Sequence, residues 1–108
     1  MRICFIGDSF VNGVGDDTCL GWTGRLCAEA RRAGWDVTHD NPGIRRDTSL
    51  DIRGRWRNEA EARLPEGLDG RLVFAFGAND CTLVDGRTRV PHVRSLEMAT
   101  AILTDAAG

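Results

Sequence analysis

Short apolar runs alternate along the chain with longer amphipathic stretches. The first run, Ile3–Ile6, is apolar at every position and ends at Gly7, which predicts a strand buried on both faces. A weaker strand is predicted over 35–40. Leu72–Phe76 is apolar throughout, and this pattern predicts a third strand, central in a sheet.

The amphipathic stretches have helical spacing, with apolar residues on one face. The positions that define these faces are Trp22, Leu26, Ala30 and Ala33, then Ile52, Trp56, Ala60 and Leu64, and finally Leu96, Ala99 and Leu103. Helices are therefore predicted over 20–33, between Thr48 and Pro65, and over 93–106. Thr48 to Asp51 resembles a capping box, and proline ends a helix.

The resulting order, β-α-β-α-β-α, is typical of a parallel sheet with helices on both faces. We predict an α/β fold, a flavodoxin-like three-layer α/β/α sandwich of about three strand–helix units. In such sheets ligands bind at the carboxyl ends of the strands. This rule brings the loops at 7–17, 40–49 and 77–91 to one edge.

The predicted topology also has a consequence for the third strand. In a flavodoxin-like strand order of 2-1-3, Leu72–Phe76 lies at the edge of the sheet. An apolar edge strand has unpaired backbone groups that favour pairing with another strand. We therefore expect it to pair with a second chain, as in a homo-oligomer, or with further residues of its own sequence.

Composition narrows the classes of chemistry. The 108 residues form one small domain, 42% hydrophobic and 28% charged, as in soluble globular proteins. The net charge of −2 argues against a nucleic-acid partner. All 14 basic residues are arginine and tyrosine is absent, which excludes a lysine nucleophile and a tyrosine acid.

No apolar run is long enough to span a membrane, and the N-terminus does not have the pattern of a signal peptide. We therefore expect a cytoplasmic protein. The cysteines have neither C-x-x-C nor zinc-finger spacing, so free thiols are predicted and no metal or organic cofactor is implied. The four are Cys4, Cys19, Cys27 and Cys81.

The three predicted loops contain residues suited to acyl transfer. Ser9 follows the first strand, and a serine at a strand-to-helix turn can present its hydroxyl beside backbone N–H groups. Gly43 lets its N–H approach a ligand closely, and the Asn79 amide donates two hydrogen bonds. A hydroxyl with convergent donors can attack a carbonyl and stabilise the resulting oxyanion.

These motifs resemble those of the SGNH (GDSL) hydrolase family of esterases and lipases. The segment Gly7-Asp8-Ser9-Phe10 is similar to its first block, with Phe10 in place of the usual Leu. The segment 41–48, containing Gly43, is similar to its second block, and Gly77-Ala78-Asn79-Asp80 matches its third, G-x-N-D. The resemblance covers nearly the whole chain and implies the SGNH hydrolase fold.

The resemblance assigns roles to individual residues. It implies that Ser9 is the nucleophile and that its N–H, the Gly43 N–H and the Asn79 side chain form the oxyanion hole. Asp8 and Asp80 are expected beside the substrate, with Asp8 structural and not the acid of a triad. The implied function is ester hydrolysis of a small molecule through an acyl-enzyme.

The family's last block, D-x-x-H, supplies the catalytic histidine and the aspartate that orients it. The only such string here is Asp36–His39, which precedes the second block. On the predicted strand its two ends point to opposite faces, so we interpret the match as accidental. Residues 1–108 thus resemble the N-terminal portion of such a domain, and we expect very poor catalysis from them alone.

Several side chains have less specific expectations. His92, at the start of the last predicted helix, is expected to contact substrate, and His39 to be packed or hydrogen-bonded. Arg45 and Arg46 are expected either to be solvated or to contact an anionic substrate. A solvated helix face is expected for Arg53, Arg55 and Arg57, and a core position for Trp22, Trp35 and Trp56.

A non-enzymatic alternative remains open at this stage. The segment 7–15 is also compatible with a phosphate-binding loop before a helix, because helix N-termini bind anions. The chain would then be a catalytically silent, flavodoxin-like binding module. In that interpretation Gly43 and Asn79 have no evident role.

Overall fold

A computed structural model describes all of residues 1–108. Three parallel strands form its main sheet in the order β2-β1-β3. They are β1 (Arg2–Gly7), β2 (Thr38–Asp40) and β3 (Gly70–Ala75). The predicted parallel sheet and the 2-1-3 order are confirmed. β1 is therefore the central strand, and its carboxyl end lies between those of its two neighbours.

Four helices accompany the sheet: α1 (Ser9–Asn12), α2 (Gly21–Arg32), α3 (Ser49–Arg63) and α4 (His92–Ala107). The three longer ones are the predicted helices. α3 begins with the expected capping box, in which Thr48 and Asp51 each accept a backbone N–H of the other. The single turn α1 lies inside the segment predicted to be a loop.

Alternation along β1 divides the apolar core into two clusters on opposite faces of the sheet. Cys4 and Ile6 pack with the buried residues of α3 and α4. Phe5 packs with Val11 and with Cys27 of α2. Helices therefore cover both faces, and the predicted three-layer arrangement is confirmed.

The predicted buried face of α2 is wrong by about one residue. Trp22 and Leu26 are 41% and 54% exposed, whereas Thr23 and Cys27 are buried. Close packing accounts for the difference: a Cβ on Gly21 would lie 2.7 Å from the Cα of Gly13. Small residues allow this approach. Leu26 turns outward, whereas Trp22 remains partly exposed with its ring edge-on to Phe5 at 5.4 Å.

The exposed residues of α4 and the position of Trp35 also differ from expectation. Ile102 is the buried residue of α4, whereas Leu96 and Leu103 are 64% and 58% exposed. Trp56 lies in the core as predicted, but Trp35 is 62% exposed. β3 is a half-buried edge strand, which confirms the edge position predicted from the 2-1-3 order and corrects the central position that the apolar pattern of Leu72–Phe76 alone had suggested.

A small hairpin interrupts the segment predicted as the third loop. Its strands, β4 (Leu83–Val84) and β5 (Arg87–Thr88), pair antiparallel. Asp85 and Gly86 between them have φ values of 53° and 77°, as in a type I′ turn. The hairpin projects from the edge of the sheet that carries the candidate site.

Candidate active site

The first and second loops meet at the carboxyl end of β1. Gly7 and Gly43 form an isolated parallel bridge, and the Ile44 N–H donates to the Gly7 carbonyl at 3.0 Å. A Cβ on Gly43 would lie 2.5 Å from the Asn12 nitrogen. Only glycine fits here, because the second loop passes directly against α1.

The third loop is joined to the second by two side chains. Asn79 Nδ2 donates to the Asp47 carbonyl at 2.9 Å. The Ser49 N–H, in the first turn of α3, donates to Asp80 Oδ1 at 2.7 Å. The three loops that the sequence predicted at one edge are therefore in direct contact.

Ser9 is the first residue of α1 and is half-buried. The side-chain hydrogen bond at this helix start runs from the Phe10 N–H to Asp8 Oδ1 at 3.0 Å, and the Ser9 hydroxyl has no partner within the protein. The helix ends after one turn at Gly13, whose φ is 101°. Ser9 thus has a fixed backbone and a free hydroxyl.

Asp8 and Asp80 are both 2% exposed, and their positions are structural. Asp8 caps α1, and Asp80 accepts from Ser95 Oγ at 2.7 Å as well as from Ser49. Both carboxylates therefore have structural partners, and Asp80 also lines the cavity beside His92; their contact with substrate stays a prediction. The Asp8 carboxylate also occupies the helix start where a bound phosphate would lie, which disfavours the phosphate-loop alternative.

The Gly43 N–H and the Asn79 amide, the two candidate oxyanion donors, differ in whether they already donate all of their hydrogen bonds within the protein. The Gly43 N–H donates to Asn41 Oδ1 at 3.0 Å, so a substrate oxygen there has to share or replace that bond. Asn79 uses one amide hydrogen for the Asp47 carbonyl. Since a side-chain amide has two N–H donors, Asn79 keeps one that is oriented by the other.

Arg55 connects the first two loops and was missed as a site residue. Its guanidinium donates to the Gly7 carbonyl at 2.9 Å, the Pro42 carbonyl at 2.9 Å and Asp47 Oδ2 at 2.7 Å. Its side chain is only 18% exposed. The expectation of a solvated face is wrong for Arg55, whose position between Ile52 and Trp56 on α3 is the signal that points inward.

Asn41 is a second residue that the sequence reasoning did not single out. Its amide donates to the Val11 carbonyl at 2.6 Å and to Thr23 Oγ1 at 3.0 Å. It thereby holds α1, α2 and the second loop together. An asparagine two residues before a glycine is typical of a turn closed by the side chain, and that signal was available.

The two histidines lie in different surroundings. His92 is exposed at the start of α4 and lines a cavity of about 220 Å³ beside Phe76 and Gly77. His39 is exposed on β2, with its ring edge-on to Phe5 at 6.2 Å. Neither imidazole is paired with a carboxylate.

The loop between α1 and α2 is held by Asp16. Its carboxylate accepts from Arg25 at 2.8 and 2.9 Å, from both polar groups of Thr18, and from the Gly21 N–H. The bond from Arg25, followed by those from Thr18, keeps the pKa of Asp16 well below its usual range. This loop is thus a defined structure beside Ser9.

The described residues include no group of three or more metal-ligating side chains, and all four cysteines are free thiols. Burial raises the pKa of the Cys4 thiol to about 11. None of the helices combines the length and apolar character needed to cross a membrane.

Comparisons with known proteins identify the family of the chain and its fold. The model of the GDSL-like lipase/acylhydrolase family matches residues 5–107. A search of curated proteins finds no significant match.

Solved structures with the same fold include three that cover nearly the whole of this chain. The esterase EstA from Pseudoalteromonas sp., in a form inhibited by monoethylphosphonate, is 22% identical with a TM-score of 0.76, over 98% of this chain and 53% of its own. TesA is 23% identical with a TM-score of 0.78, over 99% and 54%. AlinE4, an SGNH-hydrolase family esterase, is 22% identical with a TM-score of 0.74, over 96% and 51%. The chain spans about half the length of each.

Proposed function

The chain belongs to the GDSL-like lipase/acylhydrolase family, and on that premise we propose that it acts as a serine ester hydrolase with Ser9 as its nucleophile. The observation that carries the proposal is the contact among the three loops at the end of β1. It supports a single site in which the Ser9 hydroxyl is free and Asn79 retains a donor.

The proposed reaction has two half-reactions. Ser9 Oγ attacks the ester carbonyl and loses its proton to a base, and the carbonyl oxygen becomes negative. The N–H groups of Ser9 and Gly43 and the Asn79 amide donate to that oxygen. When the tetrahedral intermediate collapses, the bond to the alcohol oxygen breaks, and this oxygen takes the proton back from the base and leaves as the neutral alcohol. Water then hydrolyses the acyl-enzyme and restores Ser9.

The general base is the part of this mechanism for which residues 1–108 provide no suitable group. His39, on β2, packs against Phe5. His92 lies beside the third loop and is not paired with a carboxylate. The resemblance implies a histidine from a D-x-x-H block. We therefore expect turnover by residues 1–108 alone to be limited to what binding and the oxyanion donors contribute.

Covalent labelling tests the nucleophile without requiring full turnover. The chain is incubated with an ethyl fluorophosphonate, with and without imidazole as an external base, and the adduct is located by mass spectrometry. We expect one adduct on Ser9 that forms faster with imidazole and is absent from Ser9→Ala. Labelling of another residue, or equal labelling of Ser9→Ala, would overturn the proposal.

The oxyanion role of Asn79 is tested by Asn79→Asp, which preserves size and replaces the donor with an acceptor. Loss of one oxyanion donor lowers rates by roughly 100- to 1,000-fold, and we expect a loss of that order in the imidazole-assisted labelling. Asn58→Asp, on an exposed position of α3, is the matched control. An unchanged rate for Asn79→Asp would exclude the assigned role.

A further inference from the structure

Four arginines at the edge of the candidate site have no ionic partner. Eight of the chain's arginines form ion pairs with carboxylates, and Arg2 and Arg31 donate to backbone carbonyls elsewhere. The remaining four all lie in the second loop and the hairpin: Arg45, Arg46, Arg87 and Arg89. Of these, only Arg89 makes a side-chain hydrogen bond, to the Arg46 carbonyl at 3.0 Å.

This bond places the Arg89 guanidinium close to the candidate oxyanion donor. Arg89 reaches the Arg46 carbonyl, and the next carbonyl along the chain, that of Asp47, accepts from Asn79. Two hydrogen bonds and one residue of backbone separate the Arg89 guanidinium from the Asn79 amide, a distance on the order of 10 Å. Arg87 lies two residues before Arg89, on the same side of the hairpin strand.

The hairpin that carries two of these arginines is anchored. Val90 is 2% exposed, and its N–H donates to the Asp80 carbonyl at 3.2 Å. The Arg89 N–H donates to the Thr82 carbonyl at 2.8 Å. Arg89 therefore projects from a fixed backbone.

Local charge is not neutralised in this region. Segments 43–47 and 82–90 contain four arginines and two aspartates, a net charge of +2 in a chain of net charge −2. The Asp47 carboxylate is already bound by Arg55 at 2.7 Å. Asp85, in the hairpin turn, forms no ion pair. The four guanidinium groups are thus available to an external anion.

Arg46 has a strained backbone, which suggests a functional role for its side chain, such as binding a ligand. Its φ is 73°, and the Asp47 N–H donates to the Ile44 carbonyl at 3.2 Å, which closes a turn around it. A positive φ at the third position of such a turn favours glycine or asparagine. Strained non-glycine residues cluster at ligand sites.

We propose that Arg45, Arg46, Arg87 and Arg89 bind an anionic group, a carboxylate or a phosphate, on the ester substrate. Guanidinium groups suit these oxyanions because they donate in pairs. The substrate is then an ester with a negative charge on the order of 10 Å from the scissile carbonyl. The assignment of this anion to a substrate rests on the proposed function.

Binding is tested by titrating the ¹⁵N-labelled chain with inorganic phosphate, and separately with succinate, and following the arginine Nε–Hε signals. We expect saturable shifts confined to the four arginines. Arg46→Gly should weaken binding roughly 10-fold or more, the loss expected for a charged hydrogen bond. Its Tm should stay the same or rise, since glycine relieves the positive φ. Arg32→Gln, on α2, is the control and should bind as the native chain does.

Three results of the titration would overturn the proposal. They are the absence of saturable shifts, equal shifts at arginines all over the surface, and unchanged affinity in both Arg46→Gly and Arg89→Gln. Binding of phosphatidylglycerol vesicles through the same arginines, without binding of phosphate or succinate, would also overturn it. The last outcome would identify a membrane surface instead of a substrate anion.

A second measurement separates this inference from the proposed function. Two fluorophosphonates are compared that differ only in a terminal carboxylate or its methyl ester. We expect the carboxylate form to label Ser9 roughly 10-fold faster, and Arg46→Gly to remove the difference. Equal labelling by both reagents contradicts the anion site alone. Phosphate binding without any labelling of Ser9 contradicts the proposed function alone.

Discussion

The two sides of β1 are built in opposite ways. At its carboxyl end, polar side chains hold the loops through specific hydrogen bonds, most of all the buried Asp80 and the partly buried Arg55 and Asn41. On the side of β3 and α4 the surface is apolar and open. A groove of about 530 Å³ runs beside Leu72 and Phe74.

The difference shows which part of the molecule residues 1–108 complete by themselves. The loops of the candidate site are held by hydrogen bonds among these residues. The groove, by contrast, combines apolar side chains with the unpaired edge of a strand, a surface that favours association. The two regions should therefore respond differently to substitution.

The largest expected difference in the free energy of unfolding is between substitutions of two adjacent residues of α4. Ile102 is fully buried, whereas Leu103 is 58% exposed and lines the groove. Ile102→Ala should lower the free energy of unfolding by about 3–4 kcal/mol, because it leaves a cavity in the core. Leu103→Ala should change it by less than about 0.5 kcal/mol. Denaturant unfolding monitored by circular dichroism measures both, and equal losses would show that the groove is already filled.

Arg55→Gln should have the next largest effect. It removes the donor from two carbonyls and leaves the Asp47 carboxylate without its partner, and we expect a loss of about 3 kcal/mol in the free energy of unfolding. Arg32→Gln, 69% exposed, should stay within about 0.5 kcal/mol. If Arg55→Gln were as mild as Arg32→Gln, the contacts at the carboxyl end of β1 would not be what fixes the loops.

Self-association of the chain through the edge of β3 is a smaller effect, which is measured as an increase in molar mass in solution. We expect the chain at micromolar concentration to exceed its monomer mass of 11.8 kDa. Leu103→Glu, which places a charge in the groove, should shift it toward monomer. Light scattering after size-exclusion chromatography reads out both. A monodisperse native monomer would argue against pairing of the edge strand with a second chain.

The smallest effect is a dependence of stability on alkaline pH. Burial raises the Cys4 pKa from 9.0 to about 11, so the folded chain holds this proton more tightly than the unfolded chain does. Its contribution to stability is complete below about pH 9 and is lost as the pH rises toward 11. Urea midpoints at pH 8, 9.5 and 11 should fall in that order, and less steeply in Cys4→Ala. A midpoint independent of pH would contradict this.

Periodicity predicted the elements well because buried runs and helical spacing are local properties. It predicted their faces less well. The exposure of Leu26 depends on how closely Gly13 and Gly21 approach, which is a tertiary property. The inward Arg55 depends on carbonyl partners from two other segments.

The candidate site shows the same division. Ser9, Gly43 and Asn79 could be selected because each follows a predicted strand and matches a motif. The structural role of Asp80 became evident only from its partners, Ser49 and Ser95. The hairpin was missed although the dipeptide Asp85-Gly86 is a strong local signal for one.

The central claim is that Ser9, Gly43 and Asn79, on three different loops, form one site. A crystal structure of the chain with a monoethyl phosphonate on Ser9 tests this most directly. We expect a phosphoryl oxygen at about 2.7–3.1 Å from Asn79 Nδ2, with the Gly43 N–H as a second donor. An adduct whose oxygens point to solvent, with Asn79 donating only to Asp47, would contradict it.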